Sequence, residues 1–144
     1  MKTVLIVVFA VLMNACSAGQ SNPGQTPPSV DADPKTLKNS IAATPQSLTF
    51  GKALYGRHCE ICHGAAGNGE SEMSANLVAN GEPKPSDLTD DHWDHGSTDG
   101  EIFALIRDGL DSGAMRGLNG KPGIGPDEMW HLVNYVRSIG PKAK

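Results

Sequence analysis

Cys59-Glu60-Ile61-Cys62-His63, followed by Gly64, is the stretch from which the rest of the chain can be read. On a helical turn, residues at i, i+3 and i+4 share a face, so Cys59, Cys62 and His63 present two sulfurs and an imidazole to one side. That constellation suits a porphyrin, with a thiol for each of two vinyl groups and an imidazole for the iron, and Cys-x-x-Cys-His is the attachment signature of c-type haem. With three Cys and five His in 144 residues, chance is a poor account of it. A thioredoxin-like redox pair would want a strand before the motif, and half of a zinc site would want further ligands nearby. Neither context surrounds these residues.

Working outward, Leu48 to Cys59 predicts a helix, with Phe50, Leu54 and Arg57 three to four apart. A last helix is marked by Gly125-Pro126-Asp127-Glu128 at its start and Gly140-Pro141 at its stop, with Met129, Leu132, Val133, Val136 and Ile139 as its apolar stripe. A middle helix is signalled by Thr98-Asp99-Gly100-Glu101, the form of a capping box, then Ile102, Phe103, Leu105 and Ile106 up to Gly109. Between motif and middle helix, Gly64 to Ser97 shows no strand alternation and contains Gly67, Gly69, Gly81, Pro83 and Pro85. So long a loop is unusual in a small domain unless it has a surface such as a haem to lie on.

These features resemble a class I c-type cytochrome over about residues 48 to 140. Beyond the attachment motif, the resemblance rests on Gly51 and Tyr55 ahead of Cys59 and on Leu132 and Tyr135 in the last helix, the pairs that meet where the first and last helices of the family cross. It implies an all-α, small cytochrome c fold: three main helices and long loops wrapped around one covalent haem c with its iron. It also implies that the carbonyl of Pro83 or Pro85 accepts the Nδ1 proton of His63.

The second axial position decides between electron transfer and ligand binding. Met115 is the first candidate, in the glycine-rich loop Gly109-Leu110-Asp111-Ser112-Gly113-Ala114-Met115-Arg116-Gly117 ahead of the last helix, where the family places its axial methionine. Arg116 departs from the proline many members carry there. Met73 is the next candidate, and His92 and His95 would give bis-histidine ligation. His58 and His131 read as structural. Trp93 either packs or donates its indole N–H to a haem propionate.

The chain's beginning has a different character. Lys2 followed by the apolar run Thr3 to Met13 reads as a secretory signal, too short to span a bilayer comfortably. Met13-Asn14-Ala15-Cys16 resembles a bacterial lipoprotein cleavage site, which implies a lipidated Cys16 as the first mature residue. The expected organisation is a signal peptide at 1–15, a lipidated Cys16 and flexible Pro/Ser-rich linker at 16–47, and a cytochrome domain at 48–144. A flexible tether of this length has a reach of about 30 Å.

A net charge of -4 and the absence of a basic stripe argue against nucleic acid as a partner. Residues 87–101 hold Asp87, Asp90, Asp91, Asp94, Asp99 and Glu101 without a Lys or Arg, which reads either as a solvated loop and helix start or as a docking edge for a basic protein. The resulting expectation is a periplasmic or otherwise extracytoplasmic one-electron carrier, not an enzyme, held to a bacterial membrane through Cys16 and exchanging electrons with a dehydrogenase, reductase or terminal oxidase. Two readings stand beside it: a five-coordinate haem enzyme or gas sensor of the same fold, and the cytochrome subunit of a larger complex.

Overall fold

The computed structural model describes residues 32–140. The signal segment, Cys16 and the first half of the expected linker lie outside the described residues.

The three anticipated helices are present. The first, α1, runs Pro45–His58, starting before Leu48 because Thr44 caps the Ser47 amide and Pro45 occupies the first turn. A four-residue segment, α2 (Glu60–His63), carries the motif, and an eight-residue helix, α3 (Glu72–Ala79), interrupts the stretch expected to be loop. Ser71 caps α3 through the Ser74 amide. The middle helix, α4, spans Asp99–Asp108 and closes the capping box in both directions between Thr98 and Glu101. The last helix, α5 (Pro126–Ile139), has the Glu128 carboxylate folded back onto the Gly125 amide. No strand is present among the described residues, and no helix there is long and apolar enough to cross a membrane.

The main packing contact is α1 against α5. At the crossing, a Cβ on Gly51 would overlap the His131 carbonyl and lie 2.8 Å from Tyr135 Cβ, so glycine is what lets the two backbones approach. Leu132 and Val133 are fully buried there, and the Tyr55 and Tyr135 rings meet at 5.2 Å between centroids. The α4 face adds Ile102, Phe103 and Ile106, with Phe103 stacked on Trp130 at 4.1 Å.

The domain begins earlier than residue 48. A 3-10 turn at Pro34–Thr36 packs on α4, where Gly100 leaves room for the Pro34 carbonyl and Leu37. Leu37 and Ile41 pack against the core. Asn134 on α5 accepts a bond from Asn39 Nδ2 at 2.8 Å and donates to the Ile41 carbonyl at 3.0 Å and to Ser47 Oγ at 2.9 Å. Ser47 is also 2.8 Å from His131 Nδ1, which gives His131 the structural role expected of it. Composition marked residues 32–47 as linker because their polar side chains show no helical period, yet those amides are what tie the segment down.

Candidate functional site

The helical run that begins as α1 breaks its regular geometry at Cys59 (φ −121°, ψ −38°) and resumes for the single turn of α2. Gly64, at φ +77°, ends it in a conformation that side-chain-bearing residues rarely adopt. Cys59 and Cys62 are both partly buried and not joined to each other. Burial and the neighbouring Cys62 push the Cys59 thiol up to about 12.

A helix end leaves its last carbonyls without intrahelical partners. Here each one is taken. The Cys59 carbonyl accepts from the Cys62 and His63 amides, and the Glu60 carbonyl from the Gly64 amide at 2.8 Å. Ser71 Oγ bridges the Ile61 and Cys62 carbonyls at 2.8 and 3.1 Å. The His63 carbonyl accepts from the Gly69 amide at 2.9 Å, and the Gly64 carbonyl from the buried Tyr55 hydroxyl at 2.8 Å. Burial raises the Tyr55 pKa, which keeps that hydroxyl a donor. The turn bearing both thiols and the imidazole is therefore gripped by α1 on one side and by the cap of α3 on the other.

His63 Nδ1 lies 3.0 Å from the Ser86 carbonyl. The expectation of Pro83 or Pro85 as that acceptor is corrected by one residue: the Pro85 carbonyl is turned toward Gly69, whose missing side chain makes room for it, and the next carbonyl faces the imidazole. Desolvation lowers the His63 pKa, with the Ser86 bond opposing it, so the ring is neutral at neutral pH. A neutral imidazole that donates from Nδ1 leaves the Nε2 lone pair free for a metal. Two unpaired thiols on the same face complete a donor set that fits a covalent haem.

Met115 is half-buried at the foot of a tight loop hung from the end of α4. Its carbonyl accepts the Leu110 amide at 2.9 Å, and an isolated antiparallel bridge joins Gly109 to Arg116. Gly109 and Gly117 face backbone so closely that neither could carry a Cβ, which pins the loop at both ends despite the missing proline at 116.

Met73 lies elsewhere. It lines a groove with Ile61 and Glu60, and Ile61 sits on the side of the α2 turn opposite the thiols and imidazole. His92 and His95 are exposed in the acidic loop, His92 paired with Asp94 at 3.1 Å. No cluster of three His, Cys, Asp or Glu side chains able to hold a metal occurs among the described residues. Trp93 packs beside α5, its ring 5.0 Å from the Arg137 guanidinium.

Ser71 and Ser86 went unread in the sequence. Ser71 carried a signal, since a serine before an acidic residue is a helix N-cap pattern; Ser86 carried none, because it contributes a main-chain atom.

Residues 46–136 match the model of the family described as cytochrome C oxidase, cbb3-type, subunit III. The chain belongs to this family. It is a class I c-type cytochrome whose cofactor is one covalent haem c with its iron. Among curated relatives it is 33% identical over 107 residues to the cbb3-type cytochrome c oxidase subunit CcoP of Azospirillum sp. (strain B510), an alignment covering 67% of this chain and 32% of that protein. It is 34% identical over 96 residues to the subunit FixP of Bradyrhizobium diazoefficiens, covering 62% of this chain and 29% of that one. The cytochrome thus spans about a third of the length of the curated relatives it matches. Its fold is similar to a solved chain of the Kuenenia stuttgartiensis reducing HAO-like protein complex, with a TM-score of 0.61 at 24% identity over 73% of this chain and 50% of that one.

Proposed function

We propose that this cytochrome is a one-electron carrier in which Cys59 and Cys62 hold the haem and His63 and Met115 ligate its iron. The observation that carries the reading is the His63–Ser86 bond, which engages one imidazole nitrogen with the protein and leaves the other free for a metal. When bound, the haem supplies reversible one-electron redox chemistry, while the protein sets its potential and excludes water. The chain's own residues do the positioning: Tyr55 and Ser71 hold the attachment turn, and the pinned Gly109–Gly117 loop presents the soft thioether of Met115, which favours the reduced metal. A site whose ligands are held this rigidly changes oxidation state with little rearrangement, which suits a carrier rather than an enzyme.

The relatives named as oxidase subunits support a second form of the same reading, in which the domain relays electrons within or to a larger complex. Export and anchoring of the domain through a lipidated Cys16 complete the proposal. The test is spectroscopic. The oxidised full-length holoprotein is expected to show the weak far-red sulfur-to-iron charge-transfer band, the ferrous protein to resist carbon monoxide, and Met115→Ala to reverse both. A wild-type protein that lacks the band and binds carbon monoxide readily is a sensor or haem enzyme instead.

A further inference from the structure

Helix α3 contributes nothing apolar to the core. Of its eight residues only Ser74 is buried, and Met73 and Val78 are 39% and 51% exposed. Among the described elements it packs on α2 alone. Ile61, 63% exposed on the outer side of α2, lies next to it, so three of the four large exposed apolar side chains among the described residues lie on the α2–α3 unit. A groove of about 620 Å³ runs between Ile61 and Met73, walled by Glu60, Glu70 and Glu72 with no Lys or Arg, while Val78 stands outside it. Lys84 pairs only with Glu70 at the rim, at 2.5 Å.

Contiguous apolar side chains left outside a core mark a surface that something else covers. The glutamates decide what. An anionic headgroup layer would be repelled. A second copy docked by two-fold symmetry would place the same three carboxylates against each other. We infer that the α2–α3 face is the docking surface for a redox protein that offers an apolar spot ringed by Lys and Arg. The inference rests on the carrier reading and gives it a face: Ile61 directly precedes Cys62 and follows Cys59 by two residues, so a partner seated on the outer side of the turn is linked to both thioether positions through its short backbone. The acidic stretch at 87–101 is less suited, because Asp87, Asp99 and Glu101 are engaged by Thr89, Arg137 and the Thr98 cap.

The experiment is a low-salt titration of the reduced, isotope-labelled holoprotein with unlabelled mitochondrial cytochrome c, a lysine-rich redox protein, as probe. Amide shifts are expected to cluster at Ile61, Glu72, Met73 and Asn76 and to vanish at high salt. Glu72→Lys and Met73→Ser are each expected to weaken the complex at least tenfold, with the rate of reduction by ascorbate unchanged. Shifts centred on Asp90–Asp94, binding of anionic vesicles through α3, or self-association lost in Met73→Ser would each overturn the inference. All of those leave the far-red band intact, so failure of the docking face is separable from failure of the carrier reading.

Discussion

The Ser86 carbonyl stands 3.0 Å from His63 Nδ1, and it is held there by what Gly69 lacks. Gly69 has φ +72°, and a side chain on it would collide with the Pro85 carbonyl one peptide upstream of the acceptor. Gly69→Ala is therefore expected to displace residues 85–86 and weaken the bond to His63. A less basic imidazole stabilises the oxidised iron less, so the midpoint potential should rise. Gly81→Ala is the control: Gly81 has φ +80° and open space around it, so it suffers the same backbone strain of about 1–2 kcal/mol without touching the ligand. Potentiometric titration of both variants separates the two effects.

Ser71 is expected to matter more than its half-buried setting suggests. Its hydroxyl holds two carbonyls of the attachment turn and caps α3. Ser71→Ala should cost about 1–2 kcal/mol, the sum of a lost cap and a lost pair of bonds discounted for solvent access, measured by urea denaturation of the holoprotein. Amide exchange should quicken in α3 before it does in α5.

Tyr55→Phe tests the inner grip. The Gly64 carbonyl also accepts the Gly67 amide at 3.1 Å, so it is not orphaned when the hydroxyl goes. The loss should stay near the ordinary worth of a hydrogen bond, about 0.5–1.5 kcal/mol. A loss well above that range in chemical denaturation would mean that the hydroxyl does more than hold the turn.

Gly51→Ala should be far more severe, at about 3 kcal/mol or more, because the added methyl meets backbone of α5 and neither helix can yield without parting the Tyr55–Tyr135 contact. A lowered yield of haem-loaded protein, with the free thiols counted by alkylation, is the readout if the variant folds poorly.

The Thr98–Glu101 box makes stability pH-dependent at the acid end. Bonds from the Thr98 amide and hydroxyl hold the Glu101 carboxyl below the usual glutamate range. With the folded pKa depressed, the unfolded chain binds more protons in the interval between the two values. The contribution is thus fully present above the ordinary glutamate pKa and is lost as pH falls through the folded value. Thermal melts across that interval should slope less for Glu101→Ala than for the native chain.

Much of this molecule was legible without coordinates wherever the determinant is local. The pentad Cys59–His63 announces its chemistry because one helical turn suffices to align three side chains, and the termini of α4 and α5 are written in capping residues a few positions apart. Gly51 and Tyr55 were readable only through the family resemblance, which places a glycine and an aromatic at these distances from the motif. What sequence could not supply were contacts made by main-chain atoms or between distant segments. The acceptor for His63 is a carbonyl, which every residue possesses, so only the path of the chain past Gly69 selects Ser86 over its neighbours. Residues 32–44 looked like tether because Asn39 and Ile41 find their partner, Asn134, more than ninety positions away. The apolar residues of α3 were invisible as a surface for the same reason: composition counts Met73 and Val78 as hydrophobic, and the tertiary structure alone decides that they stay outside the core.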